Sequence, residues 1–159
     1  MTEASPTVRH AARAILFDET DRTLLVRYEY AGRRWWATPG DALEGAETHE
    51  QAARREIREE TGHEIGRLGP WVWSREQVFR FEGHLYRQVE RYFLARVGSF
   101  DPRPQELGTE ELKAFAGLGW WTMAELEGTE EEFTPADLPT LVRALLNDGP
   151  PVRPIEVGE

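Results

Sequence analysis

The sequence predicts an α+β fold, a mixed sheet with helices packed on it, and three observations carry that expectation. Short apolar runs of strand length come in hairpin pairs, a 14-residue stretch free of Pro and Gly separates two groups of them, and an amphipathic helix follows the second group. Elements segregated as strands, helix, strands, helix suit an α/β/α sandwich better than a repeating βαβ array. The 159 residues suffice for one domain with a sizeable core and are too few for two full ones. Residues 1–159 are therefore read as a single domain with flexible tails at about 1–7 and 149–159, the second being rich in Pro and Gly.

Ala11–Phe17 (AARAILF) and Thr23–Tyr28 (TLLVRY) are apolar runs joined by Asp18-Glu19-Thr20-Asp21, which reads as two strands and a polar turn. Arg34–Thr38 is a third extended run, stopped by Pro39-Gly40. Thr48–Thr61 (THEQAARREIREET) is dominated by good helix formers, and Gly62 stands at the expected stop. Trp71–Trp73, Gln77–Phe81 and Leu85–Val97 read as strands, the last two joined at Glu82-Gly83-His84. Phe100–Leu107 is a Pro-containing loop, Gly119–Thr122 a short closing strand, and Pro135–Leu146 an amphipathic helix carrying Leu138, Leu141, Val142, Leu145 and Leu146.

Composition narrows the function classes. Apolar residues make up 40% and aromatic ones 11%, too many for a disordered chain even with a mean hydropathy of −0.60. The absence of Cys excludes disulfides, thiolate zinc sites and cysteine nucleophiles. With 19 basic against 29 acidic residues the formal charge is −10, and the isoelectric point near 5.0 argues against binding nucleic acid through its backbone. No stretch approaches the roughly 20 apolar residues of a membrane span, and MTEASPTVRH lacks the layout of a signal peptide. A cytoplasmic location is expected, with no membrane partner. Any phosphate substrate must be neutralised by something other than net charge.

The central helix supplies a candidate. At about 100° per residue, Arg54, Arg55 and Arg58 fall on one side and Ala53 and Ile57 on another. Relative to Ala53, Glu60 lies within roughly 20°, Glu56 at about 60° and Glu59 at about 120° on the same side. Carboxylates thus border the face that should be buried, and Glu44 and Glu47 add two more just upstream. Acids so close repel one another unless a cation joins them, and an oxygen-rich cluster suits a hard divalent ion such as Mg²⁺ or Mn²⁺. The competing reading is a solvated helix face whose acids pair with the arginines three and four residues away.

These residues resemble the signature of the Nudix hydrolases, G-x5-E-x7-R-E-U-x-E-E-x-G-U with U aliphatic. Asp41-x5-Glu47-x7-Arg55-Glu56-Ile57-Arg58-Glu59-Glu60-Thr61-Gly62-His63 keeps the full spacing, and only Asp41 (for Gly) and His63 (for an aliphatic residue) depart from it. Ala46 also stands where a Gly often precedes the first signature Glu. The flanks fit as well: Trp36–Gly40 resembles the family's strand ahead of the signature, and Trp120–Leu126 its late strand and turn.

The resemblance implies a Nudix α/β/α sandwich with a mixed sheet, and Mg²⁺-dependent (Mn²⁺ being the other option) hydrolysis of a nucleoside diphosphate linked to another moiety. It carries metal ligation over to Glu56, Glu59, Glu60 and the main-chain carbonyl of Gly40, with Arg55 orienting the acids and pairing with Glu47. The general base comes either from Glu59 or from the later loop, where Glu110 and Glu111 are preferred over Glu106. The competing reading of that loop is a solvated acidic segment that starts a short helix. Glu90 is read either as a further metal or water ligand or as a strand salt bridge with an Arg. For the small-molecule nucleotide partner, Arg33 and Arg34 are candidates for phosphate or ribose and Trp36 for base stacking, although most Trp are expected in the core. The four His have no spacing suited to zinc or to a triad. A homodimer is a further expectation of the resemblance. A Nudix-fold nucleotide-binding or regulatory module without turnover is the second reading, favoured by Asp41, Ala46 and His63.

Overall fold

Strand β1 (Thr7–Phe17) is apolar on both faces over its second half, where Ala11, Ala12, Ala14, Ile15, Leu16 and Phe17 are all buried, and a strand of that kind belongs in the middle of a sheet. The computed structural model describes residues 5–108 and 112–158. Strands β2 (Thr23–Tyr30), β3 (Arg33–Ala37), β4 (Gly40–Ala42), β5 (Trp71–Phe81), β6 (His84–Arg96), β7 (Phe115–Trp121), β8 (Phe133–Thr134) and β9 (Ile155–Glu156) join β1 in one mixed sheet. Its order is β8-β3-β2-β1-β6-β5-β9, with β4 on β1 and β7 on β2.

β1 and β6 run parallel from Thr7↔Tyr86 to Phe17↔Arg96. The expected hairpin of β1 and β2 is antiparallel with Phe17 opposite Thr23, while at the other end of β1 the short β4 lies against Ala11, Ala12 and Arg13. The chain therefore brings Gly40 directly beside Arg13.

Helices α1 (His49–Thr61), α2 (Met123–Gly128) and α3 (Leu138–Asp148) cover the sheet. Alternation along the strands builds two cores. Ala12, Ala14, Leu16 and Leu24 meet Ala52, Ala53 and Ile57 of α1. Ile15, Phe17, Leu25, Trp73 and Tyr92 meet Leu126, Leu138 and Val142 of α2 and α3. This is the layered α+β sandwich that the sequence predicts. α1 starts at a capping box, Thr48 accepting from the Gln51 N–H and Gln51 from the Thr48 N–H, and ends at Gly62, whose φ of 80° is left-handed. A Cβ there would meet the carbonyl oxygen of Arg103 at 2.8 Å.

Several boundaries differ from the sequence reading. Trp71–Trp73 and Gln77–Phe81 belong to one continuous strand, because the polar residues between them stay in the ladder, with Arg75 buried opposite Glu90. β7 starts at Phe115 rather than Gly119, and α3 at Leu138 rather than Pro135, the Leu138 N–H first closing a turn on the Pro135 carbonyl. The segment read as a loose C-terminal tail contains β9, which pairs with Trp73 and Ser74 of β5, and Val157 is buried behind it. At the other end Thr7 already belongs to β1. Two-residue strands have no sequence signal of their own, so docking of that kind is invisible in composition.

Candidate active site

Arg55 organises the acidic end of α1. Its Nε donates to Glu47 Oε2 at 2.8 Å and its Nη2 to Glu47 Oε1 at 3.1 Å, a bidentate pair across the loop ahead of the helix. Nη1 donates to Glu56 Oε1 at 2.8 Å and Glu59 Oε2 at 3.0 Å, and Nη2 also reaches the Ala42 carbonyl at 3.0 Å. The hydrogen bond to Glu47 raises the Arg55 pKa against the cost of burial, and Glu56 and Glu47 add charge in the same direction. Reciprocally, Arg55 holds the Glu47 carboxyl below its ordinary range. The structure thus brings Glu47, Arg55, Glu56 and Glu59 together around one guanidinium.

Glu60 points inward and is fully buried. Its Oε1 accepts the Gly40 N–H at 2.8 Å and its Oε2 the Tyr28 hydroxyl at 3.2 Å. Gly40 has a φ of 135°, and a Cβ added to it would stand 2.6 Å from the Arg13 Cα and press on the Ala12 carbonyl. Only glycine lets this loop approach β1 so closely. From the other side Arg13 Nη1 donates to the Gly40 carbonyl at 3.2 Å and the Thr38 carbonyl at 3.1 Å.

The two departures from the signature have structural accommodations. Asp41 is not in the left-handed region, pairs with Ala12 as part of β4, and turns its carboxylate to Arg9 at 3.2 Å. His63 stacks on Phe100 with ring centroids 4.2 Å apart and planes 13° apart, the packing job an aliphatic residue would have. Burial lowers the His63 pKa, so its ring favours the neutral form.

Glu90 is buried in a charged cluster. It accepts from Arg13 Nε, from Arg75 Nη1 at 2.6 Å and from Gln88 Nε2 at 2.9 Å. Burial works to raise its pKa, but the charges of Arg13 and Arg75 outweigh that and hold it down to about 2. The salt-bridge alternative for Glu90 therefore has two arginine partners, and the carboxylate reaches the Gly40 loop through Arg13. Sequence reasoning did not single out Arg13 or Arg75. Their one signal was charge inside an apolar or aromatic run, alone for Arg13 in Ala11–Phe17 and beside Glu76 for Arg75.

Other expected residues lie elsewhere. Arg33 pairs with Glu132 at 3.3 Å and Arg34 with Glu131 at 3.1 Å, and both line an open groove of about 510 Å³ with Glu29, Tyr30 and Lys113. Trp36 packs on the core beneath α2 and α3, edge-on to Trp121 with centroids 5.0 Å apart. Glu106 is exposed, and its N–H caps the Glu59 carbonyl at 3.1 Å, as the Gln105 N–H does at 2.7 Å, so the later loop docks on the C-terminal end of α1. Glu110 and Glu111 lie outside the described residues.

Among the described residues no three His, Asp or Glu side chains converge closely enough to hold a metal ion in this side-chain arrangement. The chemistry of the donors nevertheless suits a hard divalent cation: Glu56 and Glu59 already share one cationic atom, Arg55 Nη1, and Glu60 lies one hydrogen bond from Gly40.

The model of the NUDIX domain family matches residues 7–143. The chain belongs to the Nudix family. The Nudix signature accordingly spans the loop from Asp41, α1 and its glycine stop. No curated protein sequence matches the chain. Solved structures share its fold. A MutT NUDIX hydrolase from Burkholderia pseudomallei is 24% identical, with a TM-score of 0.63 over 84% of this chain and 95% of its own. The NUDIX domain of Shewanella oneidensis NrtR, solved with ADP ribose, is 18% identical, with a TM-score of 0.66 over 91% of each chain. A C. elegans Ap4A hydrolase is 17% identical, with a TM-score of 0.61 over 87% of this chain and 95% of its own. None of the described helices of this Nudix chain is long and apolar enough to cross a membrane.

Proposed function

We propose that this Nudix protein is a divalent-metal-dependent hydrolase of phosphoric anhydride bonds, acting on a nucleoside diphosphate linked to another moiety. The observation that carries the reading is the Arg55 hub, which gathers Glu47, Glu56 and Glu59 beside a loop glycine that Glu60 holds by its N–H. The neighbours that act on or bind nucleotide derivatives, the Ap4A hydrolase and the ADP-ribose complex, support the substrate class. Glu56, Glu59, Glu60 and the Gly40 carbonyl would hold Mg²⁺ or Mn²⁺. The ion, when bound, offsets the diphosphate's negative charge in this acidic protein and polarises the phosphorus centre.

The residues themselves do the rest. Arg55 ties the Glu56 and Glu59 carboxylates to one Nη1 and so aims them in one direction, and Glu47 fixes Arg55 in turn. Glu59, whose side chain keeps 17% exposure near the helix end, is the general base from α1, with Glu110 and Glu111 as the alternatives from the later loop. Arg33 and Arg34, which line the groove with Glu29, Tyr30 and Lys113, are the candidate contacts for phosphate or ribose.

A panel of nucleoside diphosphate derivatives, assayed with Mg²⁺, Mn²⁺ or EDTA, tests the reading with wild type and Glu59→Gln. Metal-dependent phosphate or pyrophosphate release that falls at least about 100-fold in the variant supports it. Nucleotide binding without turnover across the panel replaces it with the binding-module reading.

A further inference from the structure

We propose that Arg13 is a substrate-binding residue that donates from Nη2 to a phosphate oxygen, with Glu90 and Arg75 as its positioning residues. The inference rests on the nucleotide-substrate reading above and names a contact that the Nudix signature does not contain. Arg13 lies on β1, outside residues 41–63, and its side chain keeps 12% exposure. Its guanidinium is held on two edges: Nε by Glu90, and Nη1 by the carbonyls of Thr38 at 3.1 Å and Gly40 at 3.2 Å. Nη2 has no hydrogen-bond partner among the described residues. A planar fork locked at two corners presents its third donor in a fixed direction with little entropy left to lose.

Charge bookkeeping points the same way. Arg13 and Arg75 share the single carboxylate of Glu90, which is fully buried, and Arg75 is itself 3% exposed. Gln77 Oε1 and the Gly158 carbonyl take two further Arg75 donors at 3.0 and 3.1 Å, but both are neutral. The cluster therefore carries one positive charge in excess in a protein of net charge −10. A buried charge that shares its counterion with a second cation is costly, and an anion at Nη2 lowers that cost.

Placement makes the anion a substrate phosphate rather than a distant effector. Arg13 Nη1 holds the carbonyl of the same Gly40 whose N–H is held by Glu60 of α1, so the free donor is one residue away from the acidic helix. A diphosphate between them meets acids that take a cation on one side and a fixed guanidinium on the other. Arg75 does not face the substrate; it keeps Glu90 ionised and in place, and Glu90 keeps the Arg13 fork from rotating.

Binding of ADP in EDTA tests this without metal or turnover. Titration of the folded wild type, Arg13→Gln, Arg13→Lys and Glu90→Gln is followed by the Km and kcat of each with Mg²⁺ and the best substrate. Arg13→Gln is expected to weaken ADP binding at least tenfold and raise Km by a similar factor with a smaller change in kcat, and Arg13→Lys to recover part of the loss. Unchanged ADP affinity in folded Arg13→Gln overturns the proposal, as does a wild type that binds no ADP. If Arg13→Gln fails to fold, a crystal structure of the wild type with ADP decides: a phosphate oxygen within hydrogen-bond reach of Nη2 supports the assignment, and its absence overturns it. Arg13-dependent binding without turnover would leave this site standing and remove the hydrolase reading. Turnover with an unaltered Km in Arg13→Gln would do the reverse.

Discussion

Arg55 makes hydrogen bonds to three carboxylates and one carbonyl from a side chain that is 11% exposed. Deleting it leaves acids in a sparsely hydrated site without their counter-charge, so the loss exceeds that of a surface ion pair. Arg55→Ala is expected to cost about 3 kcal/mol of unfolding free energy, measured by urea denaturation, with Arg55→Lys recovering less than half because an ammonium has no bidentate fork for Glu47. A loss below about 0.5 kcal/mol, the scale of exposed helix pairs, would return these glutamates to the status of a solvated face. The motif spacing made this cluster legible: residues four apart on a helix are neighbours whatever the rest of the chain does. Asp41 was legible only as a departure. That its carboxylate goes to Arg9, thirty-two positions away, follows from the β1–β4 register.

At the scale of elements, α1 was readable because its stop and its face are local signals, and the structure confirms Gly62 as the stop; the capping box of Thr48 and Gln51 that starts the helix is a finding of the structure. Around its C-terminal end the packing is not local, and there pH becomes informative. Burial lowers the pKa of His63, and of His49 at the first turn, where Arg91 and His10 push the same way. A group whose folded pKa is depressed contributes stability that is complete above its unfolded value, near 6.5 for His, and is lost as pH falls through the folded value. Thermal stability should therefore decline from pH 7 towards pH 5 as these imidazoles gain protons in the unfolded chain. His63→Leu, which keeps an apolar surface against Phe100, is expected to match wild type at pH 8 within about 0.5 kcal/mol and to be the more stable of the two at pH 5.5. Calorimetric melting at both pH values checks this, and parallel pH profiles for the two proteins would contradict it.

For the molecule as a whole, the C-terminal segment is part of the sheet. β9 pairs with β5, the Val157 N–H donates to the Ser74 carbonyl at 2.8 Å, and the Gly158 carbonyl accepts from Arg75 Nε at 3.1 Å. Truncation after Arg153 should therefore expose the β5 edge and remove Val157 from the core, a loss of about 2 kcal/mol for the side chain alone. Faster amide exchange in β5 around Trp73 and Ser74 is the diagnostic change; a truncated chain with wild-type exchange and melting would show that the segment docks without supporting the sheet. The same contact links the end of the chain to Arg75, and through Glu90 and Arg13 to the Gly40 loop.

By itself the sequence determined the α+β class, α1 with its glycine stop, and the acids that α1 carries, because helical periodicity and a glycine stop act within a few residues. The tertiary structure alone decided that Glu90 belongs to Arg13 and Arg75, that β5 is continuous through a buried arginine, and that a Pro-rich tail closes the sheet. Arg13 and Glu90 are 77 positions apart. Their meeting depends on a parallel β1–β6 register, and register is set by which face of each strand the whole core requires.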